Sequence, residues 1–162
     1  MKGLIPRSQV RQRAKRLRNQ SLKIVFTNGV FDILHRGHVE YLARARSYGD
    51  ILIVGLNSDA SVRRLKGAGR PLQTARDRAA ILLALKAVDH VVIFGEDTPD
   101  KLIREIRPDV LVKGADYKLS QIVGASFVQS YGGRVRRAPL TQGKSTSKLV
   151  RSAGRRLKKA GS

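Results

Sequence analysis

His35, Arg36, Gly37 and His38 hold the side chains of this sequence best suited to chemistry. Residues three apart on a helix face the same way, so both imidazoles can address one ligand. The four follow Thr27-Asn28-Gly29-Val30-Phe31-Asp32, which itself continues an apolar run. A strand that feeds a glycine turn and then a helix start is suited to binding phosphate. The free N–H groups of the first helical turn add positive potential at the same spot. The pattern predicts a nucleotide polyphosphate held for reaction. A helix cap beside a surface histidine is the plain alternative.

Such residues need elements to hold them. Ser8 to Arg18 reads as a short basic helix with Val10, Ala14 and Leu17 on one side. Leu22 to Phe26 and Ile51 to Leu56 read as buried strands, with a helix from Gly37 to Tyr48 between them and Gly49 as its stop. Residues 63–71 read as a basic, glycine-containing loop. Thr74 is a predicted N-cap for a helix through Lys86. A strand over Val88 to Phe94, a helix over Thr98 to Arg107 opened by Pro99, and a strand over Val110 to Val112 follow. Ser120 to Tyr131 reads as helical, residues 134–138 as a short strand, and a last helix is predicted from about Ser145. Repetition of strand and helix with continuous apolar strands predicts an α/β fold. It is a Rossmann-like, doubly wound parallel sheet of about five strands with flanking helices. Ligands of such sheets bind beyond the carboxyl ends of the strands, and the polar clusters lie there.

Composition narrows the class. At 162 residues the chain is most simply one domain, and 41% hydrophobic content fits a soluble globular protein. No apolar run approaches the roughly 20 residues needed to span a bilayer, and the N-terminus lacks a signal-peptide core. A cytoplasmic location without a membrane partner is expected. There is no cysteine, which excludes disulfides and thiolate chemistry. The net charge of +21 is concentrated at the ends. Residues 1–23 hold eight Lys/Arg and residues 117–162 hold eleven, with no acid in either, whereas 24–116 is nearly balanced. Basic ends can serve nucleic acid, but no aromatic residue interleaves the basic runs within 1–23 and 134–162, so nucleic acid is not the expected partner. Docked or solvated helices and a homodimer contact are the expectations instead. Three histidines without a carboxylate cluster argue against a protein-built metal site.

The stretch from Thr27 to His38 resembles the signature of the cytidylyltransferase-like nucleotidyltransferases. Within that superfamily the chain is most similar to the adenylyltransferase domain that makes ADP-heptose from heptose 1-phosphate. The residues that carry this are 57–61, 64–67, 70–71, 96–99 and 111–117. In that family the domain is often fused to a sugar kinase, and these 162 residues hold the transferase part without one. The resemblance implies a nucleotidyltransferase domain over 22–150; charge and apolar spacing add a basic helix over 1–21 and a basic helix end and tail over 151–162.

It also implies that a sugar phosphate oxygen attacks the α-phosphorus of ATP, with Mg²⁺ arriving on the triphosphate. His35, His38 and Lys66 are then the expected catalytic groups. Thr27, Asn28, Gly29, Val30, Phe31, Gly37, Gly114 and Asp116 are expected at the nucleotide. Arg78, a helix-start arginine with no obvious ion partner, is expected to close on phosphates. Asp32, Arg70 and Lys113 are expected at the sugar phosphate, although Asp32 also suits loop orientation. Each has a plainer alternative as a turn, a solvated basic loop or a surface arginine. Gly143, Ser145, Thr146 and Ser147 resemble the family's second phosphate-binding signature. Leu140-Thr141-Gln142 stands where glycerol-phosphate and choline-phosphate cytidylyltransferases carry Arg-Thr-Glu, which weakens a CTP reading. His90 reads as a strand-edge residue. A related transferase using CTP or another acceptor (glycerol phosphate, an alcohol phosphate or a flavin nucleotide) is the alternative. A nucleic-acid-binding protein on the same fold is the remote one.

Overall fold

The computed structural model describes residues 1–139. Five strands, β1 (Ile24–Gly29), β2 (Ile51–Asn57), β3 (His90–Phe94), β4 (Val110–Gly114) and β5 (Arg134–Ala138), form one parallel sheet in the order β3-β2-β1-β4-β5. The helices are α1 (Val10–Asn19), α2 (Arg36–Arg46), α3 (Asp59–Lys66), α4 (Ala75–Leu83), α5 (Asp100–Ile106) and α6 (Ala125–Ser130). This is the α/β doubly wound arrangement that the sequence predicts.

Alternation along the strands divides the core into two layers. Ile24, Phe26, Ile53, Val92, Phe94 and Leu111 pack with residues of α1, α5 and α6. Val25, Leu52, Val54, Val91, Val110 and Val112 pack with residues of α2 and α4. Val10, Ala14 and Leu17 of α1 are buried, so the basic helix shares the sheet's own core. Before it, residues 3–5 run beside β3, with Ile5 N–H donating to Val91 O at 2.9 Å and Val91 N–H to Gly3 O at 3.1 Å. This arm covers an edge that would otherwise present unpaired backbone.

Two elements differ from the sequence reading. Residues 59–66 are helical, and only the segment after Gly67 is loop. Ser58 caps α3 by accepting from Ser61 N–H, and Val62 is buried, two signals that the nearby glycines obscure. Ser120 to Tyr131 is not one helix: a 3₁₀ turn at Leu119–Gln121 is separated from α6 by Gly124 at φ 81°. A side chain there would strike Ile103 Cδ1 at 2.8 Å.

The winding order of the parallel strands reverses at β1, with β2 and β3 on one side of it and β4 and β5 on the other. β1 pairs with β2 from Ile24–Ile51 out to Gly29–Leu56, but with β4 only at Val25–Val110 and Phe26–Leu111. Past Phe26 the two strands part, and the Tyr41 hydroxyl fills the gap, 2.7 Å from Thr27 Oγ1 and donating to Val112 O at 3.2 Å. Burial pushes this phenol well above its ordinary pKa, so it stays a neutral bridge. The carboxyl-end crevice at such a reversal is where α/β sheets bind ligands. Among the described residues no helix is long and apolar enough to cross a membrane.

Candidate active site

A cavity of about 490 Å³ opens at this crevice. Strand ends supply its floor: Asn28 and Gly29 from β1, Asn57 from β2 and Lys113 from β4. Lys113 spans the parted strands, its Nζ 3.5 Å from Asn28 O. Burial lowers its ammonium pKa to about 8, partly countered by Asp116. Asn28 Oδ1 is buried and accepts no hydrogen bond among the described residues.

The histidines meet as their spacing predicts. His35 is the N-cap residue of α2, in extended backbone, and His38 lies in its first turn. Their rings stack with centroids 3.8 Å apart at 18°. His38 lies on the cavity wall. Burial and, after it, the neighbouring His35 lower the His38 pKa to about 4, so its ring is neutral near pH 7. Phe31 braces it edge-on at 5.3 Å. Phe31 adopts a left-handed backbone at φ 46°, a conformation rarely open to bulky residues and found where a site enforces it. Gly29 makes room for that ring, since a Cβ at this position would lie 2.9 Å from it.

Below the ring, Asp32 fastens a second loop. One carboxylate oxygen takes Arg70 Nη1 at 2.7 Å and the other takes the Leu72 and Gln73 N–H groups at 2.7 and 3.2 Å. Burial works to raise its pKa, but Arg70 and the two amides outweigh it and hold the carboxyl below its ordinary value. Asp32 and Arg70 therefore reach the cavity as a pair, with the carboxylate already engaged. Lys66, the last residue of α3, lines the same cavity.

Arg78 corrects the sequence reading. It has an ion partner, Asp59, at 2.6 Å, and its side chain is fully enclosed. Nε donates to Gln73 O at 3.0 Å and Nη1 to Val30 O at 2.6 Å. A guanidinium with these bonds is a brace behind the cavity rather than a clamp that closes on phosphates. Its Asp59 partner stands 19 residues upstream, beyond any local spacing rule.

Of the other expected residues, Val30 lines the cavity and Thr27 lies beneath it on Tyr41. Gly37 is buried in the first turn of α2, Gly114 closes β4, and Asp116 is exposed in the turn that follows. Gly143, Ser145, Thr146 and Ser147 lie outside the described residues, as does the predicted last helix. The cavity adds Asn57, Val62, Leu65, Asp97 and Tyr117. Asn57 was within reach of the sequence, since it ends a strand; Asp97 and Tyr117 sit just past strand ends, where no periodic signal marks them. His90 begins β3, with its Nε2 3.2 Å from Arg13 Nη2 and its Nδ1 3.3 Å from Gly3 O, far from any role in the cleft. No group of three or more His, Cys, Asp or Glu among the described residues could hold a metal ion.

The cytidylyltransferase-like family model matches residues 26–151. This chain belongs to the cytidylyltransferase-like family. That match runs through the glycine-serine-threonine segment at 143–147. Among curated members, the bifunctional protein HldE of Pseudomonas paraeruginosa is 60% identical over 128 residues, 79% of this chain and 27% of that protein. HldE of Geobacter sulfurreducens is 56% identical over 131 residues, 81% of this chain and 27% of that protein. The chain thus spans about a quarter of these curated relatives. Among solved structures, a lipopolysaccharide core biosynthesis protein from Thermoplasma volcanium superposes with a TM-score of 0.61 at 30% identity, covering 76% of this chain and 99% of that one.

Proposed function

We propose that this cytidylyltransferase-like chain transfers AMP from ATP to a heptose 1-phosphate, forming the ADP-sugar and pyrophosphate. The observation that carries the reading is the stacked His35–His38 pair at the start of α2, set against a cavity walled by Lys66, Arg70 and Lys113. Family membership supports nucleotidyl transfer. The likeness to HldE and to a lipopolysaccharide core biosynthesis protein supports a heptose acceptor.

In this reaction an oxygen of the sugar phosphate forms a bond to the α-phosphorus. The bond from that phosphorus to the β-phosphate oxygen breaks, and pyrophosphate leaves with the electron pair. The attacking monoester has a second pKa of about 6, so it is ionised near neutral pH and needs no general base. The protein's task is to position and to stabilise charge. Neutral His38 donates one N–H to a phosphate oxygen, with His35 stacked beside it. The free amides of α2 add positive potential. Lys66 and Lys113 bring full charges to the leaving and attacking phosphates. Mg²⁺ arrives as part of the MgATP substrate: of the cavity carboxylates, Asp32 is bonded to Arg70 and two amides, and Asp97 to Arg64.

Pyrophosphate release from ATP, CTP and GTP, each against a panel of phosphate acceptors, tests the proposal. The expected outcome is release that requires ATP and heptose 1-phosphate together. His35→Ala and His38→Ala should each lower kcat by about 10²–10³. Failure of every pair to release pyrophosphate overturns the reading, and preference for CTP replaces its nucleotide.

A further inference from the structure

Residues 1–25 precede the stretch matched by the family model, yet they reach the edge of the site. Arg7 opens the turn between the β3-edge arm and α1. Its Nη2 donates to Glu96 Oε1 at 3.1 Å, and its Nη1 donates to Glu105 on α5. Glu96 belongs to the loop over 95–99 that leaves the carboxyl end of β3, and it also accepts from the Gly95 N–H at 3.1 Å. From its other side that loop is tied to α3 and β2. Ser61 Oγ donates to Glu96 O at 3.2 Å and accepts from Asn57 Nδ2 at 3.0 Å. Arg64 donates to Gly95 O at 2.6 Å and to Asp97 at 2.8 Å.

Asp97 and Asn57 both line the cavity. Lys66, Arg70 and Lys113, which line the same cavity, suit phosphates, which a carboxylate repels. Asp32 has both oxygens engaged by protein donors, whereas Asp97 is 68% exposed and held by Arg64 alone among the described residues. A carboxylate and an amide that line one cavity suit hydroxyl groups.

We infer that Arg7 is a positioning residue which, through Glu96, holds the 95–99 loop so that Asp97 receives the hydroxyl-bearing part of a bound substrate. The assignment of substrates rests on the proposed adenylyl transfer. Two sources share that chemistry, the acceptor sugar and the ribose of ATP. Arg7→Lys retains charge but loses the fork that bridges two carboxylates. Glu96→Gln keeps the shape and removes the ion pair.

Two measurements on the full chain test this. Amide hydrogen exchange on the unliganded protein should accelerate at residues 95–98 in both Arg7→Ala and Glu96→Gln by about tenfold, with β1 amides unchanged. Steady-state kinetics should then show KM for one substrate raised about five- to tenfold with kcat held within about twofold. A rise confined to the sugar phosphate assigns the acceptor, and a rise confined to ATP assigns the ribose. Arg7→Lys should recover part of the loss. Unchanged exchange at residues 95–98, or a fall in kcat with neither KM moved, overturns the role. Exchange needs no turnover, so its result stands apart from the outcome of the transferase assay.

Discussion

A neutral imidazole at the start of a helix is a donor that pays no desolvation of its own charge. His38 is in that state because its ring is packed against His35 and Phe31 and is partly buried. An arriving triphosphate reverses the balance, since nearby negative charge favours the protonated ring. NMR titration should place the His38 pKa near 4 in the free protein and move it upward when a non-hydrolysable ATP analogue is added. The same shift has a stability consequence. The unfolded chain protonates this histidine near 6.5 and the folded chain near 4, so between those values the unfolded state binds more protons. Unfolding free energy therefore falls as pH drops through that window, and His38→Asn should flatten part of the fall. A free-protein pKa at or above 6.5 contradicts the burial that the geometry describes. At this scale the histidine pair was legible because its spacing is local. The partners of Asp32 and Arg78 were not, since Asp32 meets Arg70 across 38 residues and Arg78 meets Val30 across 48.

At the scale of elements, the strands and most helices could be read from apolar runs and caps. Thr74 does cap α4, accepting from Asp77 N–H, and Pro99 does precede α5. What failed were short elements whose identity depends on neighbours. α3 has eight residues with glycines directly behind it, and α6 has six behind a glycine that Ile103 crowds. Sequence also shows no sign that Arg78 stitches three pieces together, namely the strap at Gln73, the loop at Val30 and the first residue of α3. Arg78→Met fills similar space but removes every donor, leaving two carbonyls and the Asp59 carboxylate without it. Breaking a buried ion pair from one side costs about 3–5 kcal/mol. Asp59 is 31% exposed and water can recover part of its loss, so about 3 kcal/mol is expected. Urea unfolding measures it. A change within about 0.5 kcal/mol, the range of an ordinary surface substitution, would sink the brace.

For the whole molecule, the decisive quantity is the net charge of +21. Its sign and its concentration at the ends were legible from composition, but which cations are neutralised was not. Ion pairs among the described residues engage Arg7, Arg36, Arg46, Arg64, Arg70, Arg78 and Arg104. Arg11, Lys15 and Arg16 of α1 lie outside that set, on a helix whose apolar side is buried in the core. Folding thus gathers uncompensated like charges that the unfolded chain holds farther apart. Salt acts on two opposed terms. It weakens surface pairs, each worth about 0–1 kcal/mol, and it screens the repulsion, with a Debye length of about 10 Å at 0.1 M. The strongest pairs, on Arg78 and Asp32, are enclosed and poorly screened, whereas the repelling charges face solvent. Screening of repulsion should therefore prevail. Between about 20 and 300 mM NaCl the Tm should rise by several degrees, the scale of 1–2 kcal/mol in a chain of this size. A Tm that falls with added salt would mean that the exposed pairs outweigh the repulsion and that the basic helix is held by partners other than its apolar face.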